Sequence, residues 1–245
     1  MSPHPTTIDL IVLAGGRGSR LGGALKPAVE VAGRTLLSRV LDARPVARHA
    51  VVVGPPAARP AAGDHAGAAL NWALEDPPFG GPVAGIAAGL TTLAANADEP
   101  ADWLLVLACD LPWGADAARL LVAAASALDT ASLTAPLDPA PLDPAPPAPA
   151  LDRPEHDTVP SVDGVHLFDA SGHAQWLAAI YRAPALRAAV SRLGDRVNGA
   201  SMRELLAGLN LDGLPDESET GTDVDTWQDV ESSSNRLTHA NPTEE

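Results

Sequence analysis

A glycine-rich stretch beside basic side chains is the part of this sequence best suited to chemistry. Five of the ten residues from 14 to 23 are glycine, and Arg17, Arg20 and Lys26 lie within or just after them. Glycine lets the backbone turn sharply and approach a ligand closely, because no Cβ intervenes. Successive N–H groups in such a loop form a concavity that binds anions. With the basic side chains, the loop is suited to the phosphates of a nucleoside triphosphate.

Two common phosphate-binding patterns do not fit this loop. Gly18 and Gly23 have the spacing of the Walker pattern, but Ala24 stands where that pattern needs lysine. The dinucleotide fingerprint fails at its last position, where Leu21 replaces glycine. The loop is therefore predicted to bind a nucleotide in another way.

Carboxylates follow two predicted strands further along the chain. Asp110 ends the most hydrophobic run, predicted as a strand over 103–108, and Glu75 and Asp76 follow a shorter run at 70–74. A carboxylate at the end of a buried strand is costly unless it is paired or holds a metal. Mg²⁺ is usually held by one or two carboxylates together with substrate phosphates. Asp110 is therefore predicted to bind Mg²⁺, and its alternative role is to cap the turn that follows.

The strands and helices that must position these residues follow an alternating pattern. The apolar residues Ile8 and 10–13 predict a buried parallel strand leading into the glycine loop. Loops after parallel strands meet at one edge of a sheet, so the segments 15–26 and 76–85 should converge on Asp110. We therefore expect an α/β fold: a Rossmann-like, doubly wound, mostly parallel sheet with helices on both faces. Further elements are predicted as strands at 50–53, 132–136, 162–168 and 175–181, and as helices from Thr35 and over 83–93, 116–128, 184–193 and 201–209.

The length and composition indicate one domain over residues 1–231. The chain has 245 residues, 46% of them hydrophobic, which is enough to bury a full core. Prolines crowd residues 136–160, where LDPAP occurs twice, and predict a solvated insertion. Residues 232–245 form an acidic tail that we expect to be disordered.

The overall charge and the cysteine content exclude several classes of protein. The formal net charge of −15 argues against nucleic-acid binding, which needs a basic surface. No apolar run approaches the roughly 20 residues that span a bilayer, and the N-terminal residues show no signal-peptide pattern. The single cysteine is compatible with a reducing cytosol. We therefore expect a cytoplasmic protein that has no membrane or nucleic-acid partner.

Four motifs in order resemble the molybdenum cofactor guanylyltransferase family, which consists of MobA-like nucleotidyltransferases. They are LAGGRGSRLGGALKP, GGPVAGIAAGL, ACDLP and DVDTWQDV. The resemblance implies a fold of the nucleotide-diphospho-sugar transferase type. It also implies GTP and molybdenum-molybdopterin as substrates, Mg²⁺ as the cofactor, and molybdoenzymes or other cofactor-biosynthesis proteins as partners.

The resemblance also implies roles for individual residues. Arg20, Lys26 and Asp110 would be catalytic, with Arg20 and Lys26 holding the departing pyrophosphate and Asp110 holding Mg²⁺ and the nucleotide. Asp225 would be a second residue at the metal. Asp76 would contact guanine, although the adjacent Glu75 leaves the register open. The main chain would frame the nucleotide at Leu13, Ala14, Gly15 and Gly16.

Departures from the family pattern leave other functions open. Leu25 stands where the family often has aspartate, Gly54 where an asparagine is expected, and Trp227 where a proline is usual. A molybdopterin cytidylyltransferase or a sugar-phosphate nucleotidyltransferase on the same fold is one alternative. A catalytically silent nucleotide-binding protein that delivers cofactor is another.

Overall fold

The computed structural model describes residues 6–16, 19–67, 70–134 and 161–240. The strands are β1 Ile8–Leu13, β2 Glu30–Val31, β3 Arg34–Thr35, β4 His49–Val53, β5 Asn71–Ala73, β6 Trp103–Ala108, β7 Gly164–Phe168, β8 Ala174–Arg182 and β9 Leu211–Pro215. The α-helices are α1 Leu36–Val40, α2 Pro82–Asn96, α3 Gly114–Thr134, α4 Ala183–Leu193, α5 Met202–Leu206 and α6 Trp227–Ala240.

Seven of the described strands form one mixed sheet in the order β5-β4-β1-β6-β8-β7-β9. β5, β4, β1 and β6 are mutually parallel, whereas β8 runs antiparallel to both β6 and β7. β9 adds a parallel edge beside β7. The loop after β1 therefore lies between the loops that follow β4 and β6.

The sheet is covered by helices on both faces, and β1 shows why. Leu10 and Val12 point into the core shared with α1 and α3, and Ile11 and Leu13 point into the core shared with α2, α4 and α5. A strand buried on both faces reads as a continuous apolar run. This confirms the predicted doubly wound, mostly parallel α/β fold.

Helix α2 lies unusually close to the sheet because two glycines face β1. A Cβ on Gly85 would lie 3.0 Å from Leu13 Cδ2, and one on Gly89 would lie 3.0 Å from Ile11 Cγ2. These glycines are four residues apart and therefore share one face of the helix. The glycines of the GPVAGIAAG segment thus bring the start of α2 close to the end of β1.

The expected disorder after residue 231 is wrong for residues 232–240, because α6 continues to Ala240. Its partly buried Val230 and Leu237 pack against a small core that contains Leu21, Val31 and Val224. Val230 and Leu237 are seven residues apart, which is two helical turns, but the polar residues around them make this helical spacing difficult to recognise in the sequence. Residues 241–245 lie outside the described residues.

Two further expectations differ from the structure. The strand predicted at 132–136 is wrong because α3 continues through Thr134, while the proline-rich segment 136–160 lies outside the described residues. The helix predicted over 201–209 ends at Leu206, and β9 follows it without having been predicted. None of the helices in the described part of the chain is long and apolar enough to cross a membrane.

Candidate functional site

The loops predicted to converge do meet at the carboxyl edge of the sheet. The N–H of Ala14 donates to Val53 O at 2.7 Å, and the N–H of Cys109 donates to Leu13 O at 2.9 Å. The hydrogen bonds continue the parallel pairing one residue beyond β1 and β6. They hold the start of the glycine loop beside the strand end that carries Asp110.

Basic side chains from the glycine loop are ion-paired with carboxylates from two distant segments. Lys26 Nζ lies 2.6 Å from Asp110 Oδ2 and 2.5 Å from Asp225 Oδ1. Arg20 also contacts Asp225, with Nη1 at 2.5 Å from Oδ2. The side chains of Lys26 and Asp110 are only 12% and 16% exposed, so this part of the network is well shielded from water.

The close pairing shifts the pKa values of both partners. Burial alone lowers the pKa of Lys26, but the charges and hydrogen bonds of Asp110 and Asp225 together raise it well above its usual range. The hydrogen bond from Lys26, helped by Arg20, lowers the pKa of Asp225. Lys26 is therefore positively charged and Asp225 negatively charged at neutral pH.

A third carboxylate, Asp223, joins Asp110 and Asp225. One ligand atom from each of the three lies within 4.8 Å of the others. The arrangement follows from Val224, which is fully buried and donates its N–H to Asp110 O at 3.0 Å. Because side chains alternate along an extended chain, Asp223 and Asp225 flank Val224 on the side away from the core.

The three carboxylates have the chemistry to hold a divalent cation. Asp110 Oδ1 is buried and has no hydrogen-bond partner among the described residues. Much of the Asp223 side chain reaches solvent, but partial desolvation and the charges of Asp110 and Asp225 raise its pKa. A hard cation such as Mg²⁺ would satisfy the unpaired oxygen and relieve the repulsion, so the residues fit this group.

The start of α6 fixes the position of Asp225. Asp229 Oδ2 accepts hydrogen bonds from the N–H groups of Asp225 at 3.1 Å and Thr226 at 2.7 Å. In return, Thr226 Oγ1 accepts from the N–H of Asp229 at 3.2 Å. This is a capping box that uses aspartate. The helix that replaces the expected disorder therefore positions a residue of the site.

On the other side of the glycine loop lies a pocket of about 340 Å³. Its walls are mainly apolar and include Leu13, Val53 and Phe79, while Gly15 and Gly16 line it with main-chain atoms. Its acidic lining residue is Glu75, whose carboxylate lies so close to the loop that a Cβ on Gly15 would be 3.1 Å from Oε1. A pocket with apolar walls and one carboxylate is suited to a planar, hydrogen-bonding ring.

Glu75 and Asp76 are adjacent in sequence but lie in different places. Asp76 is exposed and lines a separate groove along α2, with Ala87 and Thr91. Burial raises the pKa of Glu75, and the N–H groups of Gly80 and Gly81 partly offset that rise. Asp76 is therefore the predicted binding residue that the structure does not bring to the pocket.

Gly54, which replaces the expected asparagine, is required by close packing at this edge. A Cβ on Gly54 would lie 2.9 Å from Ala14 O and 3.0 Å from Ala14 Cβ. A contact at 2.9 Å is too short for a real Cβ, so a larger residue would displace the start of the glycine loop.

The structure brings most of the predicted site residues to one edge. Those that meet around the glycine loop are Leu13, Ala14, Gly15, Gly16, Arg20, Lys26, Asp110 and Asp225. Arg17 lies outside the described residues. Asp223 was not predicted, although it is two residues from Asp225 in DVDTWQDV and therefore shares its side of an extended chain.

Comparison with known sequences identifies relatives of this chain. The MobA-like NTP transferase domain matches residues 10–210. A molybdenum cofactor guanylyltransferase of Rhodopseudomonas palustris is 39% identical over 118 residues, which cover 46% of this chain and 52% of the relative. One of the same name from a Bradyrhizobium species is 36% identical over 134 residues, covering 53% and 60%. The matches thus span just over half the length of these curated relatives.

Solved structures share the fold at low sequence identity. A nucleotidyl transferase from Methanothermobacter superposes with a TM-score of 0.62 at 17% identity, covering 97% of this chain and all of the other. The 4-diphosphocytidyl-2C-methyl-D-erythritol synthase of Anaerococcus prevotii gives 0.60 at 11%, covering 95% and 99%. Since the sequence match to the family spans most of the chain and the fold agrees, this chain belongs to the MobA-like NTP transferase domain family.

Proposed function

We propose that the protein transfers GMP from GTP to the terminal phosphate of molybdenum-molybdopterin, forming the guanine dinucleotide cofactor and releasing pyrophosphate. The observation that carries the proposal is the carboxylate cluster of Asp110, Asp223 and Asp225 beside a glycine loop whose Lys26 is held between two of them. Nucleotidyl transfer needs such a pairing of cation-binding acids with phosphate-binding groups. The names of the sequence relatives supply the guanine and molybdopterin parts of the proposal.

The reaction is a direct displacement at the α-phosphorus of GTP. An oxygen of the acceptor phosphate forms a bond to this phosphorus while the bond to the pyrophosphate oxygen breaks, and pyrophosphate leaves with the electron pair. The acceptor phosphate is already ionised, so no general base is required. The protein has to align the two phosphates and stabilise the charge that develops on the departing group.

The residues of the chain divide these tasks. The loop N–H groups around Gly15 and Gly16, together with Arg20 and Lys26, bind the phosphates of GTP and the departing pyrophosphate. Lys26 is held by Asp110 and Asp225, so it stays charged as the phosphates arrive. The apolar pocket beside Leu13 binds the base and excludes water from its edge.

Mg²⁺ is the proposed cofactor, held by Asp110 and Asp225 with Asp223 as a further ligand. When bound, it neutralises charge on the phosphate oxygens around the reacting phosphorus. The proposal further includes a cytoplasmic location, and molybdoenzymes or other cofactor-biosynthesis proteins as recipients of the product.

Nucleotide binding, followed by turnover, tests this proposal. We expect GTP with Mg²⁺ to raise the melting temperature more than ATP, CTP or UTP, because the nucleotide that binds most tightly stabilises the folded protein most. A ligand at 100 times its Kd adds about 2.7 kcal/mol to the free energy of unfolding, which is readily measured. Adding molybdopterin should then release pyrophosphate from GTP. A preference for CTP or UTP would indicate one of the other nucleotidyltransferases, and no response to any nucleotide would overturn the proposal.

A further inference from the structure

We propose that Glu75, and not Asp76, is the carboxylate that selects the base, with Glu75 accepting hydrogen bonds from the N1–H and 2-amino groups of guanine. This inference rests on the proposed function, because it assumes that a guanine nucleotide occupies the pocket beside the glycine loop. It assigns base selection to a residue adjacent to the one that the sequence motif indicates.

The first support is the position of Glu75. Its carboxylate lines the same pocket as Leu13, Gly15 and Gly16, the main-chain segment expected to frame the nucleotide. A Cβ on Gly15 would lie 3.1 Å from Glu75 Oε1, so the carboxylate and the loop backbone form one continuous wall. A base bound against this loop therefore meets Glu75.

The second support is an unsatisfied oxygen. Glu75 Oε2 is buried and makes no hydrogen bond to any of the described residues. A buried acceptor without a donor costs about 1–3 kcal/mol, more when it is charged. Guanine presents two adjacent donors on one edge, whereas the same edge of adenine has an unprotonated N1. Because the described residues give Oε2 no donor, the Glu75 side chain can turn this oxygen toward a ligand with two such donors without breaking a hydrogen bond to it.

The third support is the shape and polarity of the surrounding walls. Val53, Phe79 and Gly85 line the pocket together with the backbone of the glycine loop. Phe79 adopts a left-handed backbone conformation with φ of 67° and is 60% exposed as a residue. Strained residues of this kind cluster at ligand sites, and an exposed ring can cover the face of a base.

Asp76 has none of these properties. It is exposed and lines the groove along α2 with Ala87 and Thr91 instead of the pocket. To reach a base beside Gly15, it would have to exchange places with Glu75. The structure therefore distinguishes Glu75 from Asp76, which their adjacent positions in the sequence do not.

A purely structural role for Glu75 makes a different prediction. The N–H groups of Gly80 and Gly81 act on its carboxylate, so Glu75 could simply brace the loop before α2. A brace would affect every nucleotide to the same extent. A base-selecting residue would change the order of preference among nucleotides.

The test is a comparison of E75Q and D76N by isothermal titration with GTP, ITP, XTP and CTP, each with Mg²⁺. Both variants keep the size of the side chain and remove one charge, so they are matched. We expect E75Q to bind GTP about 10- to 100-fold more weakly, the effect of losing a charged hydrogen-bond partner. ITP lacks the 2-amino group and should lose less. XTP carries a 2-oxo group to which the new amide can donate, so its binding should improve relative to GTP.

The outcomes separate the inference from the function on which it rests. Retention of GTP preference by D76N together with its loss in E75Q supports the inference. Equal weakening of all four nucleotides in E75Q would indicate a brace and overturn it, as would loss of GTP preference in D76N alone. In both cases the wild-type preference for GTP, and with it the proposed function, would remain. A wild-type protein without that preference would overturn the proposed function itself.

Discussion

The charged side chains on the two sides of the glycine loop differ in whether they have partners of opposite charge. On the side of α6, Arg20 and Lys26 are each paired with a carboxylate at 2.5–2.6 Å. On the side of α2, Glu75 has no basic partner among the described residues, and one of its oxygens has no hydrogen bond. The basic side chains on the α6 side are thus paired without a ligand, whereas the carboxylate on the α2 side has no described partner of opposite charge.

This difference separates binding strength from selectivity. Since a phosphate can replace a carboxylate at Lys26, we expect the paired side to bind any nucleoside triphosphate with little dependence on the base. The unpaired side gains most from a ligand that supplies donors at one place, and an imperfect ligand leaves a buried acceptor unsatisfied. We therefore expect changes on the α6 side to affect all nucleotides and changes on the α2 side to affect one.

The largest expected effect comes from D110A on the paired side. Removal of this carboxylate leaves Lys26 with one partner and the cation without its most buried ligand, so turnover should fall by about 1,000-fold or more. Pyrophosphate release measures the loss, and circular dichroism checks the fold. D195A, which removes an exposed carboxylate between α4 and α5, serves as the control. Turnover of D110A at the wild-type rate would contradict the proposed role.

A smaller effect is expected from D223N. Because Asp223 belongs to the proposed cation site and has no basic partner among the described ion pairs, its loss should weaken Mg²⁺ binding by roughly 10-fold and leave the base preference unchanged. Titration of activity with Mg²⁺ at saturating GTP measures the shift. E231Q removes a nearby exposed charge on α6 and should have no effect. An unchanged Mg²⁺ requirement in D223N would remove Asp223 from the site.

The pH dependence of GTP binding sharpens the contrast on the unpaired side. Burial raises the pKa of Glu75, so its carboxylate becomes protonated at a higher pH than an ordinary glutamate and loses its capacity to accept two hydrogen bonds. GTP affinity should therefore fall as the pH is lowered, and the fall should begin at a higher pH than the titration of an ordinary glutamate would give. CTP affinity, measured in parallel, should decline less. A wild-type GTP profile identical to that of E75Q would contradict this assignment.

The smallest expected effect is structural and comes from T226A. The substitution removes the side-chain acceptor for Asp229 N–H and should lower the free energy of unfolding by about 1 kcal/mol. Urea denaturation measures it. T226S should restore most of the stability, and S232A on the exposed face of α6 should leave it unchanged. A loss in S232A equal to that in T226A would exclude a specific cap.

The regular elements of the sheet could be predicted because their apolar pattern is local. β6 is a continuous apolar run, and β1 is interrupted only by Asp9. The side chains of Thr35 and Ser201 cap the helices that follow them. β9 could not be predicted in this way, because Leu211–Pro215 has little apolar pattern and exists through its pairing with β7. Thr134 likewise remains helical because α3 continues through it, despite its β-branched side chain.

The site was predictable to the same extent. Arg20, Lys26 and Asp110 were found from the chemistry of the loop, the strand end and the family resemblance. The choice between Glu75 and Asp76 depends on how the loop before α2 turns, which no local pattern determines. The acidic composition of the last segment concealed α6, although Thr226 and Asp229 have the spacing of a capping box.

The contacts of Asp225 also determine when during synthesis the site can exist. Its partners Arg20 and Lys26 precede it by 205 and 199 residues, so the two halves of the network leave the ribosome far apart in time. Domains fold as their segments emerge, N-terminal part first. The glycine loop and its strand are made early, yet Lys26 lacks one of its two acidic partners until translation has passed Asp225. A nascent chain therefore carries an incomplete phosphate site until Asp225 has emerged, and only then can the whole network assemble.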